Sequence, residues 1–170
     1  MARNMEIKAR VDDLSALEAK VASVADEGPI QIEQDDTFFP CRFGRLKLRR
    51  LAPDRGELIY YRRSDKAGPK KSFYIVNETA DPEALLQSLT LALGTAGRVS
   101  KRRTLYLAGR TRIHLDHVED LGDFLELEVV LEDDEPAAAG IAEARDLMER
   151  LGIDDTHLVE GAYVDLIDQD

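Results

Sequence analysis

Two carboxylates, Glu126 and Glu128, interrupt the otherwise apolar run Phe124-Leu125-Glu126-Leu127-Glu128-Val129-Val130-Leu131. Side chains alternate across a strand, so both acids point to one face and Leu125, Leu127 and Val129 to the other. Two carboxylates on one face repel each other, and a shared Mg²⁺ or Mn²⁺ removes the conflict, because carboxylate oxygens suit these ions. Glu6 and Asp116 offer further oxygens; a face simply turned to water is the competing reading. The cations are sorted too. Arg45, Lys47 and Arg49 share one face of Arg45-Leu46-Lys47-Leu48-Arg49, and Arg62, Lys101, Arg103 and Arg112 follow the same pattern on other strands. Arginine offers a planar fork for phosphate oxygens and lysine a mobile point charge. Gathered in one partly dehydrated space, such groups repel strongly without an anion, and a polyphosphate answers them better than a lone phosphate. His114 falls between Arg112 and Asp116 on the same face, where hydrogen bonding is a simpler role than general-base duty. Lys66, Lys70 and Lys71 surround Gly68-Pro69 without P-loop spacing, which reads as a solvated loop, with a substrate-facing loop as the alternative. There is no CxxC pattern, no GxGxxG, and no arrangement for a Ser-His-Asp or Cys-His nucleophile.

The charge balance of the whole chain sharpens this reading. The 170 residues carry a net charge of −11, which argues against nonspecific binding to nucleic acid or an anionic membrane. The cations are nevertheless concentrated. Between Arg42 and Arg63 there are eight Lys or Arg and two acids, and from Arg98 to Arg112 six cations and no acid. Beyond Arg112 stand nineteen Asp or Glu against Arg145 and Arg150. An acidic exterior around an internally held anion fits this distribution. Cys41 is the single cysteine, which points to a reducing, cytoplasmic setting, and no apolar run is long enough for a membrane helix. Oligomeric state is left open, a homodimer being one arrangement.

Elements must position these side chains. Alternation and turn residues predict strands over Met5–Val11, Ile30–Phe39, Gly44–Leu51, Glu57–Arg63, Ser72–Asn77, Val99–Leu107, Arg110–His117 and Phe124–Leu131. Helical spacing predicts a helix entered at Asp12-Asp13 and closed by Gly28-Pro29, a second opened by Asp81-Pro82 and ended by Gly94, and a third over Gly140–Leu151. The tail from Val159 to Ile167 carries no clear period. No linker divides residues 1–170, so one α+β domain is expected, with an eight-stranded antiparallel β-barrel and helices packed outside. Charged faces turned inward give that barrel a polar lumen, the inverse of an ordinary small barrel.

Taken together, Met5-Glu6-Ile7-Lys8-Ala9-Arg10-Val11, Arg45-x-Lys47-x-Arg49, Lys101-x-Arg103, Arg112-x-His114-x-Asp116-x-Val118-Glu119-x-Leu121-Gly122-x-Phe124-x-Glu126-x-Glu128 and Tyr163-x-Asp165-Leu166 resemble the CYTH superfamily. These triphosphate tunnel metalloenzymes include class IV adenylyl cyclases, thiamine triphosphatases and inorganic tripolyphosphatases. The resemblance runs almost end to end. It implies phosphate binding by Lys8, Arg45, Lys47, Arg49, Arg62, Lys101, Arg103 and Arg112. It implies Mg²⁺ or Mn²⁺ held by Glu6, Asp116, Glu126 and Glu128, a nucleophile positioned by Glu6 or Lys8, and lesser roles for Arg10 and His114. The implied substrate is a small-molecule triphosphate, and the implied reaction is water attack on the terminal phosphorus. A class IV-type adenylyl cyclase and a non-catalytic polyphosphate or nucleotide sensor are the alternatives. One position departs from the pattern: the family's first strand reads Glu-x-Glu-x-Lys, and here Asn4 stands in place of the first Glu, ahead of Glu6 and Lys8.

Overall fold

Eight alternating segments form strands: β1 (Ala2–Arg10), β2 (Glu27–Phe39), β3 (Arg45–Ala52), β4 (Arg55–Arg63), β5 (Lys70–Thr79), β6 (Arg98–Ala108), β7 (Thr111–Val118) and β8 (Gly122–Leu131). Every pairing is antiparallel, and the ring β1-β5-β4-β3-β2-β6-β7-β8 closes on itself. The closed barrel removes every sheet edge. This computed structural model of the protein describes residues 2–64 and 67–168. Lys66, in the basic loop singled out above, lies outside them.

Helices α1 (Leu14–Val24) and α3 (Ala137–Leu151) cover one side of the barrel. The principal apolar core lies between them and the outer wall. Met5, Ile7 and Ala9 of β1, Ile113 and Leu115 of β7, and Leu125, Leu127 and Val129 of β8 meet Leu17, Val21, Ala144, Leu147 and Leu151. The leucines that alternate with Glu126 and Glu128 therefore point outward into the core, and the acids point into the lumen. Gly140 permits the close approach of α3, since a Cβ there would lie 2.6 Å from Met5 Cγ. Helix α2 (Pro82–Leu93) is capped by Asp81, which accepts from Ala84 N at 3.1 Å, and packs against β2, β3 and β4. The first helix is shorter than the sequence implies. It ends at Val24, and Gly28-Pro29 belongs to β2, whose register shifts between Glu27 and Ile30.

The uninformative tail forms α4 (Tyr163–Asp168). It closes one end of the barrel through a second apolar cluster in which Phe38, Tyr61, Val99 and Phe124 surround Ala162, Tyr163 and Val164. Among the described residues no helix is long and apolar enough to cross a membrane.

Candidate active site

The lumen encloses a cavity of about 340 Å³, near the lower end of the roughly 300–1,000 Å³ typical of small-molecule sites. Among the described residues its wall carries seven cations, Lys8, Lys47, Arg49, Arg63, Lys101, Arg103 and Arg112, and five carboxylates, Glu6, Asp36, Glu57, Glu126 and Glu128. Each arginine is held by an acid. Arg49 donates to both oxygens of Asp36 at 2.9 Å, and Arg103 to both oxygens of Asp116 at 2.7 and 2.8 Å. Arg63 donates to Glu6 at 3.0 Å and Arg112 to Glu128 at 2.9 Å. Bidentate pairing, as at Arg49 and Arg103, fixes the guanidinium plane.

The lysines are less fully answered. Lys47 Nζ lies 3.3 Å and Lys101 Nζ 3.8 Å from the same Asp36 oxygen. Lys8 Nζ donates to Gly161 O at 3.0 Å and sits 4.2 Å from the centre of the Tyr163 ring. Burial, with Arg63 beside it, lowers the Lys8 ammonium to about 7. Burial lowers Lys47 to about 8, with Asp36 opposing and Arg49 and Arg103 assisting, and burial beside Arg103 takes Lys101 well below its ordinary value. Cations dehydrated in company, with one shared carboxylate among three of them, form a site short of negative charge.

Beside Lys8 and Arg103 lie Glu126, Glu128 and His114, whose ligand atoms are within 4.8 Å of one another. Strand pairing produces the cluster: Glu126 is opposite His114 and Glu128 opposite Arg112 across β7 and β8, and β1 places Glu6 opposite Glu128. The two acids differ. Burial pushes Glu126 up, but Arg103 and Lys8 outweigh it and hold this carboxyl well below its ordinary value. Burial, then the Glu6 and Glu126 carboxylates, push Glu128 up to about 7. Burial and Arg103 keep the His114 imidazole neutral, and its Nδ1 has no hydrogen-bond partner among the described residues.

A model of the CYTH domain matches residues 2–163. The chain belongs to the CYTH domain family. Adenylate cyclase CyaB from Aeromonas hydrophila is 26% identical over 173 residues, spanning 97% of this chain and 88% of that protein. Protein PH1012 from Pyrococcus horikoshii OT3 superposes with a TM-score of 0.83 at 26% identity, covering 96% of this chain and 99% of its own. A putative adenylyl cyclase from Hippeastrum, HpAC1, described as having a dominant triphosphatase activity, has the same fold at a TM-score of 0.66 and 17% identity, over 98% of this chain and 95% of its own.

This CYTH domain gathers most of the expected residues into one lumen: Glu6, Lys8, Lys47, Arg49, Lys101, Arg103, Arg112, Glu126 and Glu128 all line it. Three expected residues do not line it. Arg62 points outward, exposed, with its guanidinium 5.3 Å from the Phe73 ring centre, and Arg63 takes the lumen position, because β4 pairs Tyr61 with Arg45 and so fixes the phase of alternation. Arg45 has the right phase but lies at the closed end, where Asp165 of α4 holds it outside the cavity. Asp116 does not join the acidic cluster. It is fully buried, takes both N–H groups of Arg103, and accepts the Tyr163 hydroxyl at 2.8 Å. Glu6 likewise stands outside the three-residue cluster, bound to Arg63. Arg10 is exposed over the Phe124 ring at 5.1 Å, whereas His114 gains importance. Lys70 is buried opposite Glu6 and Lys71 is exposed. Asn4 is buried in the lumen wall, and its Oδ1 has no hydrogen-bond partner among the described residues.

Sequence reasoning missed Asp36, the carboxylate on which Arg49, Lys47 and Lys101 converge. Its only signal was the pair Asp35-Asp36 within an extended segment, one of which must face inward.

The family implies a divalent cation, and the residues fit one. Two carboxylates and a neutral imidazole converge, His114 Nδ1 lacks a partner, and Glu128 carries an electrostatic conflict that a cation relieves.

Proposed function

We propose that the lumen binds a triphosphate together with Mg²⁺ or Mn²⁺ and hydrolyses it by water attack on the terminal phosphorus. The observation that carries this reading is the set of Lys8, Lys47 and Lys101, dehydrated beside arginines, with one carboxylate, Asp36, shared by Lys47, Lys101 and Arg49. A triphosphate is long enough to meet lysines on β1, β3 and β6 together, where a single phosphate answers one or two. Arg49, Arg63, Arg103 and Arg112, pre-oriented by their carboxylates, bind the remaining phosphate oxygens. Arg63 takes the place first given to Arg62. Glu126, Glu128 and His114 hold the cation, which when bound neutralises phosphate charge and polarises the P–O bonds.

The positioning of the nucleophile falls to Glu6 and Lys8. The phosphate charge holds Lys8 as an ammonium that hydrogen-bonds the terminal phosphate, and the Glu6 carboxylate accepts the proton that the attacking water loses. Cleavage of the bridging P–O bond then releases phosphate and leaves the shortened chain on the arginines. Adenylyl cyclase chemistry, favoured by the name of the Aeromonas hydrophila relative, needs the same cationic wall but directs a ribose oxygen at the α-phosphorus.

Product identification tests the choice. The protein is incubated with tripolyphosphate, ATP or thiamine triphosphate and either metal. Release of phosphate supports hydrolysis, cyclic AMP with pyrophosphate supports the cyclase, and binding without product supports a sensor. Absence of binding refutes the triphosphate reading.

A further inference from the structure

The cavity changes chemistry along its length. Tyr163 and Ala162 lie at the end closed by α4, next to Lys8 and Lys101. Away from that end the wall includes Ile32 of β2, six residues before Phe38, and it also includes Val76 of β5. These strands stand three places apart in a ring of eight, so Ile32 and Val76 line the cavity from different sides. Val76 is 42% exposed, and Ile30, next on the Ile32 face toward the rim, is 46% exposed. A phosphate chain gains nothing from aliphatic walls, whereas a flat organic ring is dehydrated favourably between them.

Gln34 adds a polar requirement to the same wall. It is 6% exposed, it lines the cavity, and its Oε1 has no hydrogen-bond partner among the described residues. A buried carbonyl oxygen without a donor is costly, and it calls for an N–H or O–H from whatever fills the lumen. Gln34 is the residue between Ile32 and Asp36 on the inward face of β2, so the aliphatic wall, the acceptor and the cation-binding carboxylate follow one another along a single strand.

We propose that Ile32, Val76 and Gln34 form a selectivity subsite for an organic triphosphate ester: a flat, largely apolar ring with an N–H donor sits between Ile32 and Val76 and donates to Gln34 Oε1, while its phosphates lead inward toward Lys8 and Lys101. This rests on the triphosphate reading above and deepens it, since inorganic tripolyphosphate fills only the inner part of the cavity.

The test compares affinities, by thermal-shift titration with a chelator present to prevent turnover. The probes are ATP, thiamine triphosphate, methyl triphosphate (with the charge of ATP but no ring) and tripolyphosphate. At least one ring-bearing ester is expected to bind about tenfold tighter than methyl triphosphate. The neutral substitutions Ile32→Asn and Val76→Asn, and Gln34→Met, are each expected to cut that preference several-fold, and Ile32→Leu to keep it. Val76 is exposed enough that its variant folds even where the Ile32 variant does not. Equal affinity for methyl triphosphate and both ring-bearing esters, or variants that weaken all probes alike, overturns the subsite; tripolyphosphate binding then still stands for the triphosphate reading. Failure of tripolyphosphate to bind overturns both.

Discussion

Replacing Asp36 with Asn isolates the charge that holds the cationic wall together. Asp36 is 1% exposed, takes two bonds of 2.9 Å from Arg49, and lies 3.3 Å from Lys47 and 3.8 Å from Lys101. The substitution keeps the volume and removes the charge, leaving Arg49, Lys47 and Lys101 without the carboxylate they share. Breaking a buried ion pair by removing one partner costs about 3–5 kcal/mol. One kcal/mol moves the melting temperature of a domain this size by roughly 2–4 °C, so the variant is expected to melt roughly 6–20 °C lower. The same cations are then free for an external anion. Tripolyphosphate added without metal is therefore expected to raise the melting temperature of Asp36→Asn by more than it raises that of the wild type. Asp35→Asn is the control. Asp35 is on the outer face, paired with Arg50 and Arg98 near solvent, where such pairs contribute about 0–1 kcal/mol. Its loss is expected to move the melting temperature by at most a few degrees and to leave the response to tripolyphosphate unchanged. Differential scanning fluorimetry reads both effects. An Asp36→Asn protein that melts with the wild type, or gains no more from tripolyphosphate, refutes the reasoning.

Other outcomes follow from the same geometry. Glu126→Gln combined with Glu128→Gln is expected to lower metal-dependent turnover by about a hundredfold or more, in line with the loss of first ligands to a catalytic ion, with an unchanged circular dichroism spectrum; full metal-dependent activity in the double variant contradicts the cluster's role. Tyr163→Phe deletes the hydroxyl that Asp116 accepts, a buried bond worth about 0.5–1.5 kcal/mol, and is expected to lower the melting temperature by a few degrees while retaining the ring beneath Lys8. The pH dependence has a defined sign. Lys8 and Lys47 are lowered to about 7 and about 8 in the fold from an ordinary 10.5, so the unfolded chain binds more protons across that window. Their contribution makes the ligand-free protein more stable as pH rises from about 7 to 10.5. A bound polyanion restores the ammonium forms, so tripolyphosphate binding at pH 8.5 is expected to take up protons; calorimetry in buffers of different ionisation heat measures this, and proton release contradicts it.

The strands, their number and the inverted barrel were legible because each strand alternates a charged residue with an aliphatic one, and because cations and acids are sorted onto different strands. Lys8, Lys47, Arg49, Arg103, Glu126 and Glu128 follow from that alternation. Where alternation lacks contrast, the reading failed. In Tyr60-Tyr61-Arg62-Arg63 neighbouring residues are of like type, so hydropathy gives no phase, and only pairing with Arg45 and Ser72 on the adjacent strands decides that Arg63 faces inward. Asp35-Asp36 poses the same problem on β2. The six-residue α4 is too short for a helical period. Its position depends on contacts of Tyr163 with Asp116 and of Asp165 with Arg45, 47 and 120 residues away in the chain. Those contacts also explain why Arg45 and Asp116, correctly phased, serve the closed end of the barrel rather than the cavity.

The most direct measurement of the central proposal is calorimetric titration of tripolyphosphate into the wild type and into Lys47→Ala combined with Lys101→Ala, at low salt. The expected result is one site per chain, weakened at least tenfold in the double variant, because the two ammonium groups that flank Asp36 on the lumen wall are lost. Absence of binding to the wild type, or equal affinity in the two proteins, contradicts a triphosphate held by the lysines of the lumen.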